Sequence, residues 1–282
     1  MEPGNDVDLF VRDQLARTTA LALRNDPSAR RGDPEGFHQL RVASRRLRTL
    51  LDVSRDVLEP SWRRTLDDDA QRLARRFGAR RDADVLVVTL RDRRVRDPTL
   101  DGGLAAHADL VRRRAALEAA RALDGARYRR TIRALADAVV RPPLVTRGSL
   151  DPLVRRVRMR LERATFVPES TPMTAEARHR LRIAVKHARY AAEALSTVSD
   201  PELATMATRL AQAQDALGVD HDLVVALAAA EEWYRSPAAV VGPDPGEALT
   251  AWRGALEAAR PRSEDGWRVP LFEVRVLLDD MA

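Results

Sequence analysis

An all-α fold is expected from three observations. Alanine, leucine and arginine dominate a chain with only 13 glycines, and these three residue types lose little on entering a helix. Apolar residues recur at three- and four-residue spacing, and no segment sustains the alternation of a half-buried strand. Val85-Leu86-Val87-Val88 is β-prone, yet it runs on into a charged helical pattern. Lastly, one stretch returns: His38-Gln39-Leu40-Arg41-Val42-Ala43-Ser44-Arg45-Arg46-Leu47-Arg48 answers His179-Arg180-Leu181-Arg182-Ile183-Ala184-Val185-Lys186-His187-Ala188-Arg189, 141 residues later. Gly78-Ala79-Arg80-Arg81-Asp82 answers Gly218-Val219-Asp220-His221-Asp222 at an offset of 140. This near-constant offset predicts an internal duplication. Two antiparallel helical bundles related by a pseudo-twofold axis are the natural packing of such a unit.

Taken in order, the first helix is expected over about 7–24, stopping before Pro27. Asp33 reads as an N-cap with Pro34 at the first helical position, opening a long helix to about Leu58. Pro60 ends it, and a third helix, about 61–77, is expected to stop at Gly78. Helices at about 83–95, 104–123 and 126–140 complete the first half, 6–141. Residues 142–149, rich in proline and glycine, read as a linker. The second half, 150–281, repeats the plan, with both halves forming one domain over 6–281. Its helices are expected at about 151–164, from a Thr174 cap through the second basic stretch, then 201–217, 223–234, 246–259 and 269–280, with a Pro-containing loop at 168–172. Six helices in each half is the expectation.

With 282 residues, 45% of them hydrophobic, the chain can bury an ordinary core. Cysteine is absent, which excludes disulfides, thiolate metal sites and a cysteine nucleophile. No apolar run has the length of a membrane span, and a cytoplasmic protein is the expectation. The net charge of +6 suggests an anionic partner. Arginine abundance alone is weak evidence, because Lys186 is the only lysine and many arginines sit beside acids, as in Arg91-Asp92-Arg93. The informative places are those where cations cluster without acid.

The repeated stretches are such places. At 100° per residue, His38, Arg41, Arg45 and Arg48 fall within about 80° of one another, as do His179, Arg182, Lys186 and Arg189. Leu40, Ala43, Leu47 and Leu51, and likewise Leu181, Ala184, Ala188 and Ala192, take the opposite face. Each stripe spans roughly 15 Å with a cation every 5 Å or so, which suits an extended anion rather than a single phosphate. The competing reading is that these arginines merely solvate outer helix faces. Asp52 and Glu193, each four residues after the last arginine of its stripe, are expected to pair with Arg48 and Arg189. Asp82 and Asp222 are expected to cap a following helix or to orient a stripe arginine, and Arg80 and Arg81 to extend the basic surface. For His38 and His179 the readings are a phosphate contact, a structural histidine, a metal ligand or a phosphohistidine. Arginine neighbours argue against a metal, and neither a metal nor another cofactor is expected.

At these residues the chain resembles the CHAD family, the conserved histidine α-helical domain. The resemblance rests on His-x-x-Arg-Val-x-x-Arg-Arg-x-Arg at 38–48, on His-x-x-Arg-Ile-x-x-Lys-x-x-Arg-Tyr-x-x-Glu at 179–193, and on Gly-x-x-Arg-Asp at 78–82. It implies paired helical bundles around a basic central groove or pore that binds inorganic polyphosphate, with no catalytic activity of the domain itself. The implied contacts are His38, Arg41, Arg45, Arg48, His179, Arg182, Lys186 and Arg189; Arg46 and Tyr190 also match family positions. The second half departs from the pattern, with His187 in the place of Arg46 and no arginine in Gly218-Val219-Asp220-His221-Asp222. Many family members carry a fused β-rich domain with a Glu-x-Glu-x-Lys signature, which this sequence lacks. Association with polyphosphate granules is a further implication. The alternatives are RNA or DNA binding through the same surface, an enzyme acting on phosphate chains, or an acidic protein partner. Aromatics are only 4% of the chain and none interleaves with the first stripe, which disfavours base stacking.

Overall fold

The computed structural model describes residues 6–92, 98–167, 173–236, 246–258 and 265–281. These form ten helices: α1 (Asp6–Arg30), α2 (Pro34–Val53), α3 (Pro60–Asp92), α4 (Pro98–Asp124), α5 (Ala126–Val140), α6 (Asp151–Thr165), α7 (Ala175–Leu195), α8 (Glu202–Tyr234), α9 (Gly246–Ala258) and α10 (Asp265–Asp280). The all-α expectation holds, and among the described residues the only β feature is an isolated bridge between Leu58 and Leu144. The expected loop at 168–172 and the expected helix end at Val95 lie outside the described residues.

The count differs from expectation, five helices in each half rather than six, for one reason. Gly78 does not end a helix: α3 runs through it for 33 residues, and α8 runs through Gly218 for the same length. The apolar stripe explains the continuity. Leu73, Phe77, Ala83, Leu86 and Leu90 are buried at helical spacing across Gly78, and Leu217, Leu223, Ala226, Ala230 and Trp233 across Gly218. An interior glycine costs about 1 kcal/mol against alanine, and burying one large apolar side chain outweighs that. Two shorter corrections follow the same logic. α1 continues through Pro27 to Arg30, where Ala29 is buried and Arg30 pairs with Asp26 and with Asp124 of α4. α2 stops at Val53, because Val57 and Leu58 are buried and residues 57–59 exchange backbone hydrogen bonds with 143–145 of the linker.

Packing follows the same order in both halves. α2 lies between α1 and α3, and α5 closes back on α1 and α3; α7 lies between α6 and α8, and α10 closes back on α6 and α8. Contacts between halves join α2 to α7 and α3 to α8. One apolar cluster spans this junction, from Phe10 and Leu51 in the first half to Leu195 and Val274 in the second. A second joins the far ends of α3 and α8 through Leu86, Leu104, Leu223 and Trp252. Gly103 of α4 permits a close helix approach there: a Cβ on it would stand 2.1 Å from the Trp233 ring.

The glycines therefore divide by surroundings. Gly103→Ala should destabilise the fold by about 1–3 kcal/mol through overpacking. Gly78→Ala, whose Cβ would meet nothing within 4 Å, should stabilise it by about 0.5–1 kcal/mol. Thermal unfolding of the two variants checks the opposite signs.

Candidate functional site: the paired basic stripes

Both stripe helices are firmly started. Asp33 accepts from the Glu35 backbone N–H at 3.1 Å ahead of Pro34, and Thr174 accepts from Ala177 N–H at 3.2 Å. The apolar face then sets rotation about the helix axis: Leu40, Ala43, Leu47 and Leu51 are buried in α2, and Leu181, Ala188 and Ala192 in α7. The stripes turn outward from these cores and toward each other.

Arg45 crosses from one half to the other. Its guanidinium donates through Nη1 to the Tyr190 hydroxyl and stacks 5.1 Å from the centre of the Tyr190 ring. Arg189 covers the same ring at 5.5 Å, and its Nε donates to Glu193 at 2.7 Å, as expected from their spacing. Arg41 donates to Asp82 at 2.7 Å. Asp82 thus orients a stripe arginine from the interior of α3 and caps nothing, since no helix starts there. Asp222 sits equally deep within α8 and supports the charge of Arg182.

Arg45, Arg182 and Lys186 are half-buried and form no ion pair with a described residue. Burial, with Arg45, Arg41 and Arg182 close by, lowers the Lys186 ammonium to about 7. Burial also lowers Arg45 and Arg182, and the Arg182 Nε is buried without a hydrogen-bond partner. His38 is pushed down by burial and by Arg81, Arg41 and Arg45, against the opposing pull of Glu35. Its Nδ1 is likewise buried without a partner.

Beside the crossing lies a cleft of about 280 Å³ lined by Arg41, Arg45, Arg48 and Lys186 of the stripes. Arg63 of α3, Arg160 of α6 and His187 of α7 also line it and were not among the expected ligands. Arg160 had a signal: with Arg156 one turn earlier, it flanks the apolar stripe of buried Leu153, Val157 and Leu161. Burial lowers His187, and Arg160 and Arg48 lower it further. Asp52 does not take Arg48. It accepts from Arg160 at 2.7 Å, because α6 brings its arginines over this end of α2, and Arg48 donates instead to Asp67 of α3 at 3.1 Å. Arg46 is exposed off the stripe and His179 is exposed near the start of α7; neither lines the cleft. Among the described residues no group of three or more His, Cys, Asp or Glu side chains could hold a metal ion. None of the described helices is long and apolar enough to cross a membrane.

The CHAD domain model matches residues 13–231, which hold both stripes, all of α3 and all but the last three residues of α8. The chain belongs to the CHAD domain family. The crystal structure of the CHAD domain from the plant Ricinus communis is similar over 96% of this chain and 93% of its own, at 27% identity and a TM-score of 0.74. PptA from Streptomyces chartreusis shares the fold over 99% of both chains, at 21% identity and a TM-score of 0.69. No curated protein matches this CHAD chain.

The buried cations give a pH signature. Lys186 has a folded value near 7 against an ordinary 10.4 or so, so between these values the unfolded chain holds the extra proton and stability rises with pH. His38 and His187, both lowered, act with the same sign below about 6.5. Unliganded protein should therefore gain stability from pH 7 to 9, and Lys186→Met should flatten that rise in urea unfolding.

Proposed function

We propose that this protein binds linear inorganic polyphosphate between α2 and α7 and does not transform it. The observation that carries this reading is Lys186, set among Arg41, Arg45 and Arg182 with its ammonium disfavoured by burial. Folding holds these charges together at a cost, and a multiply charged anion would offset it while stabilising the fold. Guanidinium groups add bidentate bonds to phosphate oxygens.

The acids support binding rather than chemistry. Asp82 is engaged by Arg41, Asp67 by Arg48 and Asp52 by Arg160, which leaves these carboxylates orienting cations rather than poised as bases. The Tyr190 ring is occupied by two guanidinium groups, so it serves the stripes rather than a stacked base. Phosphate chains suit such a surface better than RNA does. A cytoplasmic place near polyphosphate granules would follow from the same ligand.

Calorimetric titration with long-chain polyphosphate tests the reading, with single-stranded RNA of matched charge as the comparison. Arg41→Ala with Arg45→Ala, and separately Arg182→Ala with Lys186→Met, should each weaken polyphosphate binding at least tenfold, about 1.4 kcal/mol. Loss confined to one half would overturn the shared site, and equal affinity for RNA would overturn the ligand.

Affinity should also fall steeply with salt, the slope of log K against log salt approaching about −0.7 for each phosphate neutralised. Binding near pH 8 should take up protons, because the anion restores the Lys186 charge.

A further inference from the structure

A second basic groove lies on the other side of α3. Arg63, Asp67 and Ala74 face the central cleft, whereas Arg72, Arg75 and Arg76 project about 150° away around the helix axis. There α3, α4 and α5 enclose a groove of about 890 Å³, into which Arg121 of α4 and Arg127 and Arg130 of α5 also point.

Its charge is largely uncompensated. Arg127 and Arg130 share the single buried carboxylate of Asp69, at 2.9 Å and 2.7 Å, and Arg76 takes Glu118. Arg72, Arg75 and Arg121 form no ion pair with a described residue. Six arginines against two carboxylates leave four positive charges in a chain whose net charge is +6. Asp69 does more than neutralise: buried beneath the groove, it fixes two guanidinium groups in place before any ligand arrives. The first turn of α5 adds its own N–H groups, since its N-cap, Gly125, brings no side-chain acceptor. The rest of the lining is aliphatic, with neither an aromatic ring nor a side-chain amide to read a base.

We propose that this outer groove is a second polyphosphate site, so that the protein is bivalent for phosphate chains and cross-links long ones. The ligand is that of the central cleft, and to that extent the proposal rests on the reading above; the residues are separate. α3 stands between the two sites, so a short chain occupies one or the other, whereas long chains join neighbouring molecules.

The test uses the full chain and two polyphosphates, one too short to pass around α3 and one long. Calorimetry with the short chain should give two sites per protein. The triple variant Arg72→Ser, Arg75→Ser, Arg121→Ser should keep one, and Arg41→Ala with Arg45→Ala should keep the other. Light scattering with the long chain should show large assemblies for the unaltered protein and none for the triple variant. A single site in the unaltered protein, undiminished in the triple variant, would overturn the outer groove. Two sites with only the triple variant losing one would retain it and overturn the central cleft instead. Loss of RNA binding alone in the triple variant would overturn the ligand. The milder Arg75→Gln, Arg121→Gln pair, which keeps polar side chains at both exposed positions, should weaken the outer site at least tenfold and guards against misfolding as the cause.

Discussion

Like charges held together away from water are the constraint on which this structure depends. Where α2 meets α7, Arg41, Arg45, Arg182 and Lys186 converge, and burial works against the charge on three of them. Surface ion pairs are worth about 0–1 kcal/mol each and cannot hold such a cluster by themselves. The apolar side of the same helices does so instead. Leu51 and Leu195, almost wholly buried, belong to one cluster that continues across the junction between halves, and each such side chain contributes about 1.5–3 kcal/mol. Tyr190 completes the arrangement by placing an electron-rich ring and a hydroxyl acceptor where two arginines would otherwise repel.

Features that a helix carries within itself were legible in the sequence. The caps at Asp33 and Thr174, the apolar faces of α2 and α7, and the Arg189–Glu193 pair all follow from spacing along one element. Features decided between elements were not. Gly78 and Gly218 have the local character of helix ends, and only the burial of residues beyond them keeps α3 and α8 going. Asp52 has the right spacing for Arg48, but the choice belonged to Asp67 and Arg160, which come from helices far away in sequence. Arg46 matched a motif while its rotation about the helix axis carried it outward. A stripe is legible from one helix; a cleft needs the neighbours.

The halves share helix order and packing but not every surface. At the offset of 140 that relates Gly78 to Gly218, Arg72, Arg75 and Arg76 correspond to Gln212, Asp215 and Ala216. Gln212 and Asp215 are exposed, and Ala216 lies against Gly266 of α10. The face of α3 that lines an arginine-rich groove beside α4 and α5 thus has a counterpart on α8 that carries no cation at these positions. The central stripes recur in both halves, whereas the outer arginines belong to the first half alone.

Lys186 gives the site a chemical individuality that arginines do not have. It is the only lysine among 48 basic side chains, and with a value near 7 a large share of it is the neutral amine at neutral pH. A neutral amine is a nucleophile, whereas a guanidinium is inert under the same conditions. Side-chain acylation or carbamylation would therefore fall on one atom of this protein, in the middle of the stripe. An anion bound in the cleft, if it returned the proton, would shield that atom. Occupancy of the cleft would thus be readable in the reactivity of a single nitrogen.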